Sequence, residues 1–178
     1  MSPLSRRRYP ECDAWRESAL RRIEREERPV LVLAAGSAAH RVLAGSKRLE
    51  GEANQLALAD GWRPVLRRLR ATTENVTVIT DPPRVPLDVP ACVSEHLKEL
   101  RRCAFARRPA SAKARAVSDV LRGVDGVRLL DPTDLLCLED LCPSVIGDVL
   151  VYRNSGHLTA SFAATMGRWL ERRLPPAG

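Results

Sequence analysis

The sequence predicts an α/β fold: a three-layer α/β/α sandwich on a short parallel sheet, completed by a C-terminal β-hairpin and helix. Three observations carry this expectation. Three β-rich apolar runs, at residues 30–35, 76–79 and 127–130, alternate with segments of helical periodicity. The first run, Val30-Leu31-Val32-Leu33-Ala34-Ala35, is apolar throughout, as in a strand covered on both faces of a parallel sheet. Each run ends at a turn signal: Gly36-Ser37, Asp81-Pro82-Pro83 and Asp131-Pro132. The carboxyl ends of the strands therefore gather at one rim, where ligands sit in such sheets.

The elements follow in order. Residues 1–10 carry three arginines with no apolar stretch behind them, and read as a disordered basic tail with no secretory signal. Residues 12–27 space Trp15, Ala19, Leu20 and Ile23 as one helical face, and Pro29 stops that helix. A polar stretch separates the first strand from Gly51. Residues 53–69 read as helix with a break or new start around Gly61 and Pro64. Helices are expected over residues 92–107 and 110–121. Within residues 144–152, two apolar runs flank Gly147-Asp148, the signal of a β-hairpin. A last helix from about Thr159 to Leu174 would bury Phe162, Met166, Trp169 and Leu170, with Pro175 opening a short tail over residues 175–178. At 178 residues and 44% apolar content, one domain over residues 11–174 can bury a core.

Composition excludes several functions. The net charge of +7 rests on arginine, since Lys47, Lys98 and Lys113 are the only lysines. The arginines fall in dispersed helical clusters (Arg21, Arg22 and Arg25; Arg67, Arg68 and Arg70; Arg101, Arg102, Arg107 and Arg108), where solvated helix faces account for them. A polyanion would still feel the summed positive field. With 4% aromatics there is little for bases to stack on, so no nucleic-acid partner is expected. No apolar run reaches the length of a membrane helix. Three histidines and cysteines without CxxC spacing give no metal site, and no cofactor is expected. The five cysteines suggest two local pairs, Cys92 with Cys103 and Cys137 with Cys142, leaving Cys12 over. Two disulfides imply an oxidising compartment; five free thiols imply the cytosol.

The carboxyl-terminal stretch carries a resemblance. Cys137-Leu138-Glu139-Asp140-Leu141-Cys142-Pro143, then Val145 through Arg153, then His157-Leu158-Thr159, resemble the end of an SGNH-type hydrolase domain. More narrowly, they resemble the version fused to the C-terminus of integral-membrane O-acyltransferases (acyltransferase family three). Val78-Ile79-Thr80-Asp81-Pro82-Pro83, Val89-Pro90-Ala91-Cys92, Cys12-Asp13-Ala14-Trp15 and Asp131-Pro132-Thr133-Asp134 are similar to that family too, so the likeness spans roughly residues 11–174.

That resemblance implies a serine esterase or O-acyltransferase working on acyl esters of sugars or cell-envelope glycans. In such a site a histidine takes the proton of a serine hydroxyl and a carboxylate orients the histidine. The family's Asp, three residues before its His, corresponds here to Asn154 and His157. A neutral amide does not offset an imidazolium charge and can select the wrong tautomer. The family's Gly-Asp-Ser-His-like nucleophile turn has no counterpart, so the chain reads as a domain truncated ahead of its nucleophile. Ser37, on the turn after the first strand, is the substitute nucleophile, although its position matches a family strand that supplies oxyanion-hole contacts.

Two classes of function follow: a weakened or inactive SGNH-like enzyme, or a noncatalytic pseudoenzyme that binds a partner chain or an anionic glycan. A missing first strand would bare the edge of residues 30–35, which implies self-association, a strand-supplying partner chain or a membrane acyltransferase partner. The family also implies an extracytoplasmic location, with a cytoplasmic one left open by the lack of a signal peptide.

Overall fold

The computed structural model describes residues 10–175. The tails expected over residues 1–10 and 175–178 lie outside the described residues, apart from Pro10, which opens the first helix, and Pro175.

Helix α1 (Pro10–Arg22) runs into a π-helical turn (Ile23–Glu27), which Arg28 closes in the left-handed region at φ 42° by donating its N–H to the Ile23 carbonyl. Strand β1 (Val32–Ala35) follows. The polar stretch behind it holds a small antiparallel hairpin, β2 (Leu43–Ala44) with β3 (Lys47–Arg48). Helix α2 (Gly51–Thr72) is continuous, so the break expected near Gly61 and Pro64 does not occur. Pro64 lies on the exposed side of α2, where its missing N–H leaves a carbonyl that water can satisfy. Strand β4 (Val76–Ile79) leads to α3 (Val89–Glu95), capped by the Asp88 carboxylate, which accepts the Ala91 N–H at 3.1 Å.

The single helix expected over residues 92–107 is instead α3, a 3₁₀ turn (Leu100–Cys103) and the short strand β5 (Phe105–Ala106). The extended segment inserts Phe105 into the core opposite Cys142, which a continuous helix would prevent. Helix α4 (Arg107–Leu121), strand β6 (Val127–Leu130) and α5 (Thr133–Leu136) come next, then β7 (Leu141–Cys142) beside β5. The expected hairpin forms as β8 (Val145–Ile146) and β9 (Val149–Leu150) around Gly147-Asp148. A second hairpin, β10 (Tyr152–Asn154) with β11 (His157–Leu158), was not signalled by the apolar pattern. The last helix is two short ones, α6 (Ala160–Thr165) and α7 (Gly167–Glu171); Phe162 is buried, and Met166, Trp169 and Leu170 are half-buried.

The central sheet is parallel, in the order β1-β4-β6, with Ala34 opposite Val78 and Val78 opposite Leu129. Because the strands advance in one direction, right-handed crossovers place α2 and α4 on the same face. Val32, Ala34, Val76, Val78, Val127 and Leu129 pack there against Leu66 and Leu69 of α2, Val117 and Leu121 of α4, and Leu20 of α1. Trp15, expected on the packed face of α1, is 71% exposed.

Alternation puts Leu33, Ala35, Thr77, Ile79, Arg128 and Leu130 on the other face. Thr77 and Leu130 are buried there, whereas Leu33 is 43% exposed. Full burial of residues 30–35 is therefore not observed, because β1 is the sheet edge and its second face is open. A second core under the C-terminal half gathers Val89, Phe105, Leu136, Val151, Tyr152 and Phe162. Disulfides Cys92–Cys103 and Cys137–Cys142 border this core, and Cys12 is free and exposed. With separations of 11 and 5 residues, loop closure makes them worth about 3 and about 2 kcal/mol.

Candidate active site

The carboxyl ends of β1 and β4 are bound to each other by polar side chains. Gly36 leaves β1 directly under Trp62 of α2: a Cβ added at residue 36 would lie 2.5 Å from the indole Cζ2, so a larger residue would push the turn off the helix. Asp81, just beyond β4, accepts the Ala38 N–H at 2.7 Å and the Ser37 hydroxyl at 3.3 Å, both on Oδ2. The Ser37 oxygen in turn accepts the Ala39 N–H at 3.1 Å. Ser37 is thereby locked in its own turn. Buried Asn54 of α2 holds the next stretch, accepting the Val42 N–H at 2.8 Å and donating to the His40 carbonyl at 2.9 Å.

The β10–β11 hairpin brings a second group to this rim. Its turn residue Ser155 accepts the Val85 N–H at 3.0 Å, which ties it to the segment following Asp81-Pro82-Pro83. Behind it, the Thr159 hydroxyl caps α6 by accepting the Phe162 N–H at 3.1 Å and donates to the Leu150 carbonyl at 2.5 Å. Gly156 consequently lines the same shallow pocket as Ser37 and Asp81, a cavity of about 50 Å³.

On that hairpin His157 is exposed, and its Nδ1 lies 2.8 Å from Asn154 Oδ1. The same Oδ1 accepts the Gly156 N–H at 3.1 Å. A backbone N–H needs an oxygen opposite it, so this contact establishes which end of the amide faces the ring. The carbonyl end accepts only, hence His157 Nδ1 is the donor and carries the proton. In the neutral imidazole that arrangement leaves the lone pair on Nε2, the form a general base requires. Asn154 orients the imidazole as a carboxylate would and supplies no negative charge.

The structure thus brings Asn154 and His157 together, and places the Ser37 turn and the His157 hairpin around one pocket. It does not bring Ser37 to the imidazole. Among the described residues no serine or threonine hydroxyl hydrogen-bonds His157, and Ser37 spends its bonds on Asp81 and Ala39. His40 and His96 stay outside this arrangement. Sequence reasoning missed Asp81 and Asn54 as the groups that shape the rim. A carboxylate between a strand end and a Pro-Pro pair was the available signal for Asp81. No group of residues suited to a metal ion occurs among the described residues.

A family model, SGNH domain (fused to AT3 domains), matches residues 1–172. The fold is similar to that of the lipopolysaccharide acetyltransferase periplasmic domain of Salmonella ser. Paratyphi A, with a TM-score of 0.64 at 15% sequence identity. That likeness covers 89% of this chain and 62% of the Salmonella chain, so the present chain spans under two thirds of its neighbour's length. No curated protein matches the sequence.

Proposed function

The chain belongs to the SGNH family of domains fused to AT3 domains, and from that premise we propose that it handles acyl esters of sugar hydroxyls with His157 as the general base. The supporting observation is the tautomer: Asn154 holds the Nδ1 proton, so Nε2 is free to accept one. A hydroxyl oxygen attacks the ester carbonyl carbon while its proton passes to Nε2. The tetrahedral intermediate then collapses, the C–O bond to the departing alcohol breaks, and Nε2 returns the proton to that alkoxide.

Two features keep this activity low in the chain by itself. Asn154 gives no charge to stabilise the imidazolium, and the described residues place no nucleophilic serine against Nε2. The Ser37 turn serves to shape the pocket beside the base. The family resemblance implies oxyanion-stabilising contacts from this position, but the Ala38 and Ala39 N–H groups are engaged by Asp81 and Ser37. A strand added along β1, from a partner chain or a membrane acyltransferase, would bring further groups to this rim. Two disulfides and the family's tie to membrane acyltransferases support an extracytoplasmic location.

Hydrolysis of p-nitrophenyl acetate tests the reading. Slow turnover is expected, abolished by His157→Ala and reduced but not abolished by Ser37→Ala. Equal turnover in wild type and His157→Ala would overturn it. The second reading, a noncatalytic binding module, is favoured by the same occupied Ser37 hydroxyl, and predicts no turnover above buffer.

A further inference from the structure

We propose that the pocket bounded by Ser37, Asp81, Arg84 and Lys113 binds an anionic substituent of the sugar, a carboxylate or a phosphate, and so selects acidic glycans. The inference deepens the acyl-transfer reading by naming its substrate class, and its test uses binding alone.

Arg84 and Lys113 both line the cavity beside Gly156. Their positions are set by two different elements that are bonded together: the Arg84 N–H donates to the Ala110 carbonyl at 2.8 Å, and Lys113 follows Ala110 by three residues on α4. Residues three apart on a helix share a face. Both cations are therefore presented to one space. Neither side chain has a hydrogen bond or ion pair with any described residue, whereas Arg68, Arg102 and Arg122 each meet a carboxylate.

One acid faces the same space, and it makes no ion pair with either cation. Asp81 lines the same cavity, but its Oδ2 is taken by the Ala38 N–H and the Ser37 hydroxyl. Two cations and one carboxylate leave the pocket positive. A planar guanidinium beside an ammonium matches the two or three oxygens of a carboxylate or phosphate.

Size narrows the occupant. About 50 Å³ is room for a few water-sized groups, since one water needs about 10–15 Å³ by this measure. A single oxyanion fits and a sugar ring does not. The ring would lie outside, on the side where Gly156 adjoins His157, so the anion would set which hydroxyl or ester faces Nε2.

Calorimetric titration of the whole chain with D-glucuronate, D-glucose 1-phosphate and D-glucose tests this at low ionic strength. Binding of at least one anionic sugar is expected, no heat from glucose, and weakening by about tenfold or more in both Arg84→Gln and Lys113→Gln. Preference between the two anions identifies carboxylate or phosphate as the recognised group. Both substituted residues are exposed, and unchanged circular dichroism shows that the variants fold.

Glucose binding as tightly as the anions, no binding by either anion, or affinities unchanged in both variants would each overturn the assignment. The acyl-transfer reading fails separately: if His157→Ala leaves ester hydrolysis intact while Arg84→Gln still loses glucuronate, the anion site stands and the catalytic reading falls. Hydrolysis lost in His157→Ala with no anionic preference is the converse.

Discussion

Asn154 Oδ1 lies 2.8 Å from His157 Nδ1, and the Gly156 N–H bonded to the same oxygen makes this a donor-to-carbonyl hydrogen bond of fixed sense. The sequence alone left the opposite outcome open, since an amide presenting its NH₂ would have driven the proton onto Nε2. In Ser-His-Asp sites an Asp→Asn change costs about 10⁴ in turnover, with the wrong tautomer as a main cause. Here the tautomer is already the productive one. Only the missing charge separates Asn154 from the family's carboxylate.

Asn154→Asp should accordingly raise kcat/KM for p-nitrophenyl acetate by about ten- to a hundredfold, equivalent to roughly 1.4–2.8 kcal/mol of imidazolium stabilisation. Asn154→Ala, which frees the ring and the Gly156 N–H, should lower it. A gain of this kind that survives in an Asn154→Asp, His157→Ala double variant would separate Asn154 from the base.

The open side of β1 makes a second prediction. Val32 donates its N–H inward, to the Asn75 carbonyl at 2.9 Å, so the N–H groups of Leu33 and Ala35 point away from β4. Hydrogen exchange at low concentration should be fast at Leu33 and Ala35 and slow at Val32 and Ala34. Protection of Leu33 that grows with protein concentration would show a second copy pairing there, and Leu33→Lys should abolish that growth. Protection at all concentrations would mean that the edge is covered within the chain.

The parallel strands were legible because β1, β4 and β6 are short β-rich runs ended by Gly-Ser or Asp-Pro, and each of these signals is local. The edge character of β1 was expected from the first strand missing against the family pattern, not from the run itself. An apolar run looks the same whether one or two neighbours flank it, and only the pairing with β4 alone shows Leu33 to be bare. The second hairpin was missed because β10 and β11 have few residues and no apolar alternation; a long-range hydrogen bond, from the Val85 N–H to the Ser155 carbonyl in its turn, ties it down. Asn154 and His157 were legible as a pair by family likeness. Their tautomer was not, since it depends on the Gly156 N–H, a backbone group. Arg84 and Lys113 are 29 positions apart in sequence and meet only through the Arg84–Ala110 bond.

Helix α1 is fastened by charge as well as by Leu20. Arg68 donates to both oxygens of Glu24, at 2.6 and 2.9 Å, and to both oxygens of Glu17, at 2.7 and 3.1 Å. Hydrogen bonding to Arg68 holds both carboxyls below their ordinary value of 4.5. A depressed carboxylate contributes stability that is present above the unfolded value and lost as pH falls through the folded one. Arg68→Met should thus melt earlier than wild type at pH 7, with the gap closing progressively below pH 4.5. A gap independent of pH would assign the effect to packing of the arginine stem.

The alkaline limb has a different origin. Tyr152 is fully buried, edge-on to Phe105 at 5.4 Å between ring centroids, and its hydroxyl has no hydrogen-bond partner. Burial disfavours the phenolate and moves its ionisation well above the ordinary value of 10. A raised pKa of this kind leaves the folded state at full strength below pH 10. Above it the unfolded chain ionises while the folded one resists, so stability falls. Tyr152→Phe removes both the unsatisfied hydroxyl and the ionisation. It should be more stable than wild type by about 1 kcal/mol at pH 7, and the difference should widen between pH 10 and 12 in urea denaturation. A variant less stable than wild type at pH 7 would mean that the hydroxyl is hydrogen-bonded in solution, for which a bound water is the available partner.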